Sequence, residues 1–284
     1  LLGAIDSAEA DLRPATVAAA GRRILALLSA LACDGGAPGR ADARSQAGSV
    51  AAELAACWID GSPTEITAFT RLFDAALVLV ADHELNPSAF AARVAASVGA
   101  SPYTAVGAGL AAIEGAGHAG ESVRVAASLA EAESVAGAHA DDRANAADAL
   151  APAMRTHVAR QMRGGDTLPG FGHRLYPDGD PRGRVLLALA RRGLAGIVPA
   201  ARTLRVADAF AAAVHERTGS RPTIDFALAA LCRAAGAPAH APLTLFAMGR
   251  TAGLVAHVIE QYGLGRMLRP RGHYVGPPPL DAEV

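Results

Sequence analysis

Apolar residues recur along this chain at helical spacing, and no stretch shows the two-residue alternation of a half-buried strand. Thr16 to Ala32 (TVAAAGRRILALLSALA) reads as an amphipathic helix, closed by the Asp34-Gly35-Gly36 turn and an Ala/Gly/Arg loop. Ser49 to Trp58 makes a second helix. Pro63 opens a third, which carries LFDAALVLVADH to His83 at its C-terminal end; it is apolar almost all round there and is expected to be central. Pro87 and Ser88 start a fourth, AFAARVAASVGA. Tyr103 to Ile113 forms a fifth whose glycines suit close helix packing, followed by a short loop with a glycine-flanked histidine, His118. Ser122 to Arg163 is rich in alanine and charge and reads as two solvated helices broken near Gly137, ending at Gly164-Gly165. Further helices are predicted at Arg182 to Arg192, at Val198 to Thr218, and from Pro222 through Thr223-Ile224-Asp225-Phe226 to Ala235. Pro242 leads into a long one, LTLFAMGRTAGLVAHVIEQY, with Arg250 in its middle. The tail Leu268 to Pro279 (LRPRGHYVGPPP) cannot be helical through its prolines. The pattern predicts an all-α protein of roughly a dozen helices, without internal repeats.

With 284 residues, 51% of them hydrophobic, the chain can bury one large core or two modest ones. A net charge of -1 and a pI of about 6.8 point to neither a nucleic-acid nor a membrane partner. No uninterrupted apolar run reaches the roughly 20 residues that cross a bilayer, and no signal peptide heads the chain, so a soluble, cytoplasmic protein is expected. Position 1 is Leu rather than Met, which suits a fragment whose front segment is lost. Cys33, Cys57 and Cys232 lie far apart, are odd in number and form no C-x-x-C pair; they read as reduced core thiols. The histidines form no metal-binding spacing, so no metal is expected. All 26 basic residues are arginine, which excludes Schiff-base chemistry, pyridoxal phosphate anchoring and a Walker A lysine.

The stretch Leu168 to Arg182, LPGFGHRLYPDGDPR, concentrates candidate chemistry. Asp180 is placed as a helix N-cap with Pro181 at the first helical position, so Arg182 falls in the opening turn, where free N–H groups and the helix dipole favour an anion. Leu168, Pro169, Gly170, Phe171 and Gly172 read as a carboxylate or phosphate cradle with His173 at its lip; a glycine turn beside a well-capped helix accounts for the same residues. His83, His118, Asp225 and Arg250 also sit in apolar, small-residue settings. Buried charge is costly unless it is paired or meets a ligand, so these positions suit either a ligand site or an internal Asp–Arg ion pair with hydrogen-bonded core histidines.

Six blocks together resemble the citrate synthase family, in its order: ADHELNPSAFAARVAAS, the glycine-flanked histidine after an apolar helix, PGFGHRLYPDGDPR, IDF, FAMGRTAGLVAHVIEQ and RPRGHYVG, covering His83 to Gly276. The resemblance implies a two-domain helical homodimer whose smaller, inserted domain closes over oxaloacetate and acetyl-CoA. Here the large domain would take residues 1–118 and 229–284 and the small one 119–228. It further implies that His83 holds oxaloacetate, that Arg182 and Arg250 bind its carboxylates, and that Arg269 does so from the partner subunit. Asp225 would take a methyl proton from acetyl-CoA, His118 would stabilise the enolate, and His173 would protonate the oxaloacetate carbonyl as carbon attacks it. Residues 168–172 would bind the acyl-CoA cosubstrate, acetyl-CoA or propionyl-CoA, with no resident cofactor. The implied products are citrate and CoA, or 2-methylcitrate from propionyl-CoA.

Two positions depart from the family pattern. Where it usually reads Gly-Pro-Leu-His-Gly-Gly-Ala-Asn, this chain has Gly115-Ala116-Gly117-His118-Ala119-Gly120-Glu121-Ser122, which brings a negative charge near the enolate. Pro177 stands where a basic side chain for CoA phosphate is common. Both suit a second reading, a carboxylate or acyl-CoA sensor with weakened turnover; the presence of all three catalytic side chains suits the enzyme. A helical scaffold with internally paired polar residues is the third.

Overall fold

The computed structural model describes residues 5–33, 48–137, 146–164 and 168–276. Among them are eleven α-helices: α1 (Pro14–Cys33), α2 (Val50–Trp58), α3 (Pro63–Leu79), α4 (Pro87–Ser97), α5 (Pro102–Ile113), α6 (Glu121–Ala136), α7 (Ala146–Gln161), α8 (Pro181–Gly193), α9 (Val198–Thr218), α10 (Ile224–Ala234) and α11 (Ala241–Leu264). Their starts follow local chemistry. Ser49, Ser62, Asn86, Ser101 and Asp180 each accept a backbone N–H at a helix N-terminus, and Ser62 with Glu65 completes a capping box. No strand occurs among the described residues beyond an isolated bridge between Phe171 and Pro222. The Asp34-Gly35-Gly36 turn and its loop, position 1, Gly165 and the last prolines of the tail lie outside the described residues.

Two helices, α11 and α10, organise the rest. α11 packs against α1, α3, α4, α5 and α10, and α10 packs in turn against α6, α8 and α9. α10 is buried along nearly its whole length, enclosing Ile224 and the whole run Phe226 to Cys232. That corrects the expectation for α3, which buries Phe69, Leu72, Phe73 and Ala76 on one side but leaves Val78 68% exposed on the other. The pair α6 and α7 is likewise not merely solvated: Val125, Leu129, Met154 and Val158 turn inward. In α5, Gly109 lies against Leu254 and the Ser88 carbonyl, so close that a Cβ would be 2.8 Å from the leucine side chain; Gly107 faces open space.

Three more expectations are corrected. α3 stops at Leu79, so His83 stands on the following loop rather than on a helix end. The cause is α11: Arg250 Nε donates to the Val80 carbonyl at 2.8 Å, and Gly253 backs onto the Ala81 carbonyl, where a Cβ would lie 2.0 Å from the oxygen. Cys33 and Cys57 are joined in a disulfide with Cα atoms 5.6 Å apart, tying α1 to α2, while Cys232 stays a buried thiol. Packing of α1 on α2 sets the two cysteines opposite each other, which a separation of 24 residues does not reveal. Finally, α1 and α11 are each long and apolar enough, by length and composition, to cross a membrane. Alanine and leucine around the arginines keep mean hydropathy at 1.5 and 1.3; in this fold α11 serves as a core helix, with 61% of its apolar window buried.

Candidate active site

The loop from Val80 to Asn86 carries His83. Asn86 caps α4 through hydrogen bonds from the Ser88 and Ala89 N–H groups, both at 3.1 Å, and its amide donates to the His83 carbonyl at 3.3 Å. His83 Nε2 meets the Tyr176 hydroxyl at 2.9 Å. Across from it, the loop between α5 and α6 presents His118. That loop needs Gly120, since a Cβ there would fall 2.3 Å from the Glu114 carbonyl oxygen. His118 Nε2 lies 3.1 Å from Ser88 Oγ, and Ser88 gives its own proton to Asn86 Oδ1 at 2.6 Å. The serine hydroxyl therefore accepts, which places the imidazole proton on Nε2. Burial, with the Arg250 charge nearby, lowers the pKa of His118 to about 4, so the ring is neutral near pH 7.

Segment 168–182 divides into an anchor and a lining. Phe171 turns into the core against Phe226 and Phe210, with ring centroids 4.9 and 5.8 Å away. Gly170 donates its N–H to Glu121 Oε1 at 2.9 Å and accepts from the Thr223 N–H at 2.9 Å; its φ of +84° suits glycine. Of the five residues read as a cradle, Gly172 lines the cleft, while Leu168 to Phe171 do not. Leu175 N–H donates to His173 Nδ1 at 3.2 Å, leaving the ring proton on Nε2, and burial holds the pKa of His173 below its ordinary value.

Asp180 fastens α8 to α10. It is fully buried and accepts from Arg182 N–H, from Arg182 Nε and Nη2 at 3.0 and 2.8 Å, and from Ile224 N–H at 3.0 Å. Burial opposes its ionisation, but these bonds and the Arg182 charge hold its pKa below the usual carboxylate value. One edge of the Arg182 guanidinium is thus engaged inside the protein, with its carbon 5.8 Å over the Tyr176 ring.

The fold brings His83, His118, His173, Arg182, Asp225 and Arg250 around one cleft of about 580 Å³. Asp225 is in the first turn of α10, and its Oδ1 is buried without a hydrogen-bond partner. Burial, reinforced by the Glu121 charge and offset by Arg182, pushes its pKa up to about 7. Arg250 is 1% exposed, stacks its guanidinium 5.0 Å from the Phe246 ring centroid, and has Nη1 and Nη2 without partners. Burial lowers its pKa to about 10. An unpaired guanidinium edge beside a bare carboxyl oxygen, in a cleft walled by neutral imidazoles, suits a ligand that carries carboxylates and presents a weakly acidic proton.

Arg269 lies on the exposed tail and does not line this cleft. Sequence reasoning missed Tyr176, which touches His83, His173 and Arg182, and Ser88, which fixes the His118 tautomer. Each stood inside a recognised block, Tyr176 three residues after His173 and Ser88 five after His83. No cluster of three or more potential metal ligands occurs among the described residues.

The fold is all-α, and its cleft gathers arginines, histidines and a buried carboxyl between helix ends. Residues 3–271 match the family described as citrate synthase, C-terminal domain, and the chain belongs to the citrate synthase family. It is 33% identical over 219 residues to the citrate synthase of Haloferax volcanii, covering 77% of this chain and 53% of that protein. It is 30% identical over 217 residues to 2-methylcitrate synthase 1 of Corynebacterium glutamicum, covering 76% and 52%. Among solved structures, citryl-CoA lyase from Hydrogenobacter thermophilus superimposes with a TM-score of 0.65 at 27% identity, covering 84% of this chain and 88% of that one. The chain spans about half the length of the curated relatives it matches.

Proposed function

We propose that the cleft condenses acetyl-CoA with oxaloacetate to citryl-CoA, whose thioester then takes up water to give citrate and CoA. The observation that carries this reading is the pairing of bare Asp225 Oδ1 with bare Arg250 Nη1 and Nη2 in one cleft. Oxaloacetate would be held by Arg250, by the free edge of Arg182 and by His83. Asp225 removes a methyl proton; the resulting carbanion attacks the oxaloacetate keto carbon, and the electron pair of that C=O leaves to oxygen, which takes the proton on His173 Nε2. His118 hydrogen-bonds to the thioester oxygen as it gains charge. For Nδ1 to donate that bond, the Ser88 hydroxyl must turn from Asn86 to His118 Nε2, moving the ring proton across. In this reading residues 119–228 are the smaller closing domain, and a homodimer brings Arg269 to its partner's cleft. Acyl-CoA is a cosubstrate, its phosphates met by arginines other than the missing one at Pro177.

Free thiol released from acetyl-CoA on addition of oxaloacetate tests the proposal, with propionyl-CoA in parallel to decide between citrate and 2-methylcitrate. Thiol release above that of His118→Ala is the expected result. If oxaloacetate raises the melting temperature and no thiol appears, the chain is a sensor; if melting does not move, the cleft is a scaffold. The match to citryl-CoA lyase over 88% of that chain favours one other reading, cleavage of citryl-CoA to acetyl-CoA and oxaloacetate without hydrolysis. Oxaloacetate formed from supplied citryl-CoA, with no thiol formed from acetyl-CoA, would establish it.

Glu121→Gln keeps an acceptor for the Gly170 N–H and removes the charge that disfavours ionised Asp225. The acidic limb of kcat/KM is expected to move to lower pH, as read from a pH–rate profile. An unmoved limb would show that Glu121 acts only as a tether.

A further inference from the structure

The block AHVIEQ on α11 contributes nothing to the chemistry above, yet it holds a network of charged groups outside the cleft. His257 Nε2 lies 3.1 Å from Asp82 Oδ1, and His257 Nδ1 lies 2.9 Å from Arg93 Nη1; Arg93 also bonds Glu260. A guanidinium can only donate, so Nδ1 accepts and the ring proton sits on Nε2, where it is given to Asp82. Asp82 immediately precedes His83. Arg250 takes the Val80 carbonyl and Gly253 closes onto the Ala81 carbonyl, so α11 holds three consecutive residues from positions 250, 253 and 257, spaced along one face of the helix. Past the clamp, Glu84 adopts a φ of +54°, a left-handed conformation that non-glycine residues rarely take. A loop with such a residue is not set by its own local preference and takes its shape from its anchors.

We infer that His257 is a positioning residue for His83: by holding Asp82 it fixes where the loop places the His83 imidazole, which Tyr176 then orients from the other side. The inference rests on the reading of the cleft as an oxaloacetate site. Asp82 is 56% exposed and Glu260 64% exposed, so these pairs add little to global stability. Their loss should show in the placement of the loop.

The test compares His257→Ala with His257→Gln, whose amide retains an N–H for Asp82, each in the wild-type and His83→Ala backgrounds. Oxaloacetate affinity is measured by calorimetry, turnover by thiol release, and the His83 ring by nitrogen NMR of histidine-labelled protein. His257→Ala is expected to weaken oxaloacetate binding about tenfold, the loss of one well-placed hydrogen bond. Turnover at saturation should stay within about threefold, since the loop binds and does not react. His257→Gln should restore most of the affinity, and in the His83→Ala background His257→Ala should add nothing, because it acts through His83. An equal loss of affinity in both backgrounds would overturn the inference. The NMR arm decides independently of the ligand: a His83 signal displaced in His257→Ala and restored in His257→Gln supports positioning, and an unmoved signal refutes it. If the wild type binds no oxaloacetate, the reading of the cleft fails while this arm still judges His257.

Discussion

Asp225→Asn lowers thiol release by about 10³-fold, the usual contribution of a positioned general base, while oxaloacetate binding stays within about threefold. The carboxyl and amide have the same shape, and the arginines that would meet the substrate carboxylates are untouched, so the two readouts separate. Equal loss of both would make Asp225 a structural residue. The pKa of about 7 adds a second signature. Turnover requires the ionised carboxylate, so kcat/KM of the wild type should rise through pH 7 and level off above it. Stability runs the other way. Folding raises the Asp225 pKa from 3.8 to about 7, so the unfolded chain ionises first as pH climbs between those values, and the native state loses free energy to it. Well below pH 3.8 the group is neutral in both states and costs nothing. Asp225→Asn should therefore melt higher than wild type from pH 7 upward, with the difference closing as pH falls below 3.8, as calorimetry across that range would show. A catalytic group that destabilises its own fold is the pattern expected where desolvation tunes a base.

How far the sequence discloses this protein depends on the kind of link involved. Helix starts are local: Ser62, Asn86 and Asp180 announce theirs through cap chemistry that needs nothing beyond four consecutive residues. Helix ends decided by a distant partner are not. α3 stops at Leu79 because Arg250 and Gly253, more than 160 positions later, pull on Val80 and Ala81, and no periodicity within α3 records that. The disulfide between Cys33 and Cys57 is hidden for the same reason. The polar residues of the cleft were visible as charges in apolar surroundings, but what each one does depends on partners that only folding supplies. Arg182 is half-engaged by Asp180, two residues away, whereas Arg250 keeps two nitrogens free; both look alike as arginines near helices. The cradle failed differently: Gly170 serves a close approach to Val125 and Phe226 rather than to a ligand, and Gly172 alone of the five reaches the cleft.

Arg250→Met should weaken oxaloacetate binding by about 10²–10³-fold and leave the empty protein about as stable as before, a combination that a structural arginine would not give. Two terms set the stability. Loss of the Nε bond leaves the buried Val80 carbonyl without its donor, at about 1–3 kcal/mol. Against this, burial has lowered the Arg250 pKa from 12.5 to about 10, a strain on the charged form of about 3 kcal/mol that methionine relieves at neutral pH. The terms nearly cancel, as they do when an uncompensated buried charge gives way to an apolar side chain of similar length. Binding has no such compensation. A substrate carboxylate facing Nη1 and Nη2 loses a two-point, charge-assisted contact in a desolvated cleft, about 3–4 kcal/mol or 10²–10³-fold in affinity. Arg250→Lys keeps the charge but not the planar fork, and Nζ cannot reach the Val80 carbonyl and a carboxylate with the same geometry, so it should recover only part of the affinity. Thermal melting with and without oxaloacetate reads both quantities at once. A ligand-free melting temperature that collapses in Arg250→Met, or an oxaloacetate-induced rise that survives it, would mean that the guanidinium is there to hold α11 against the Val80 loop and that the carboxylate binds elsewhere.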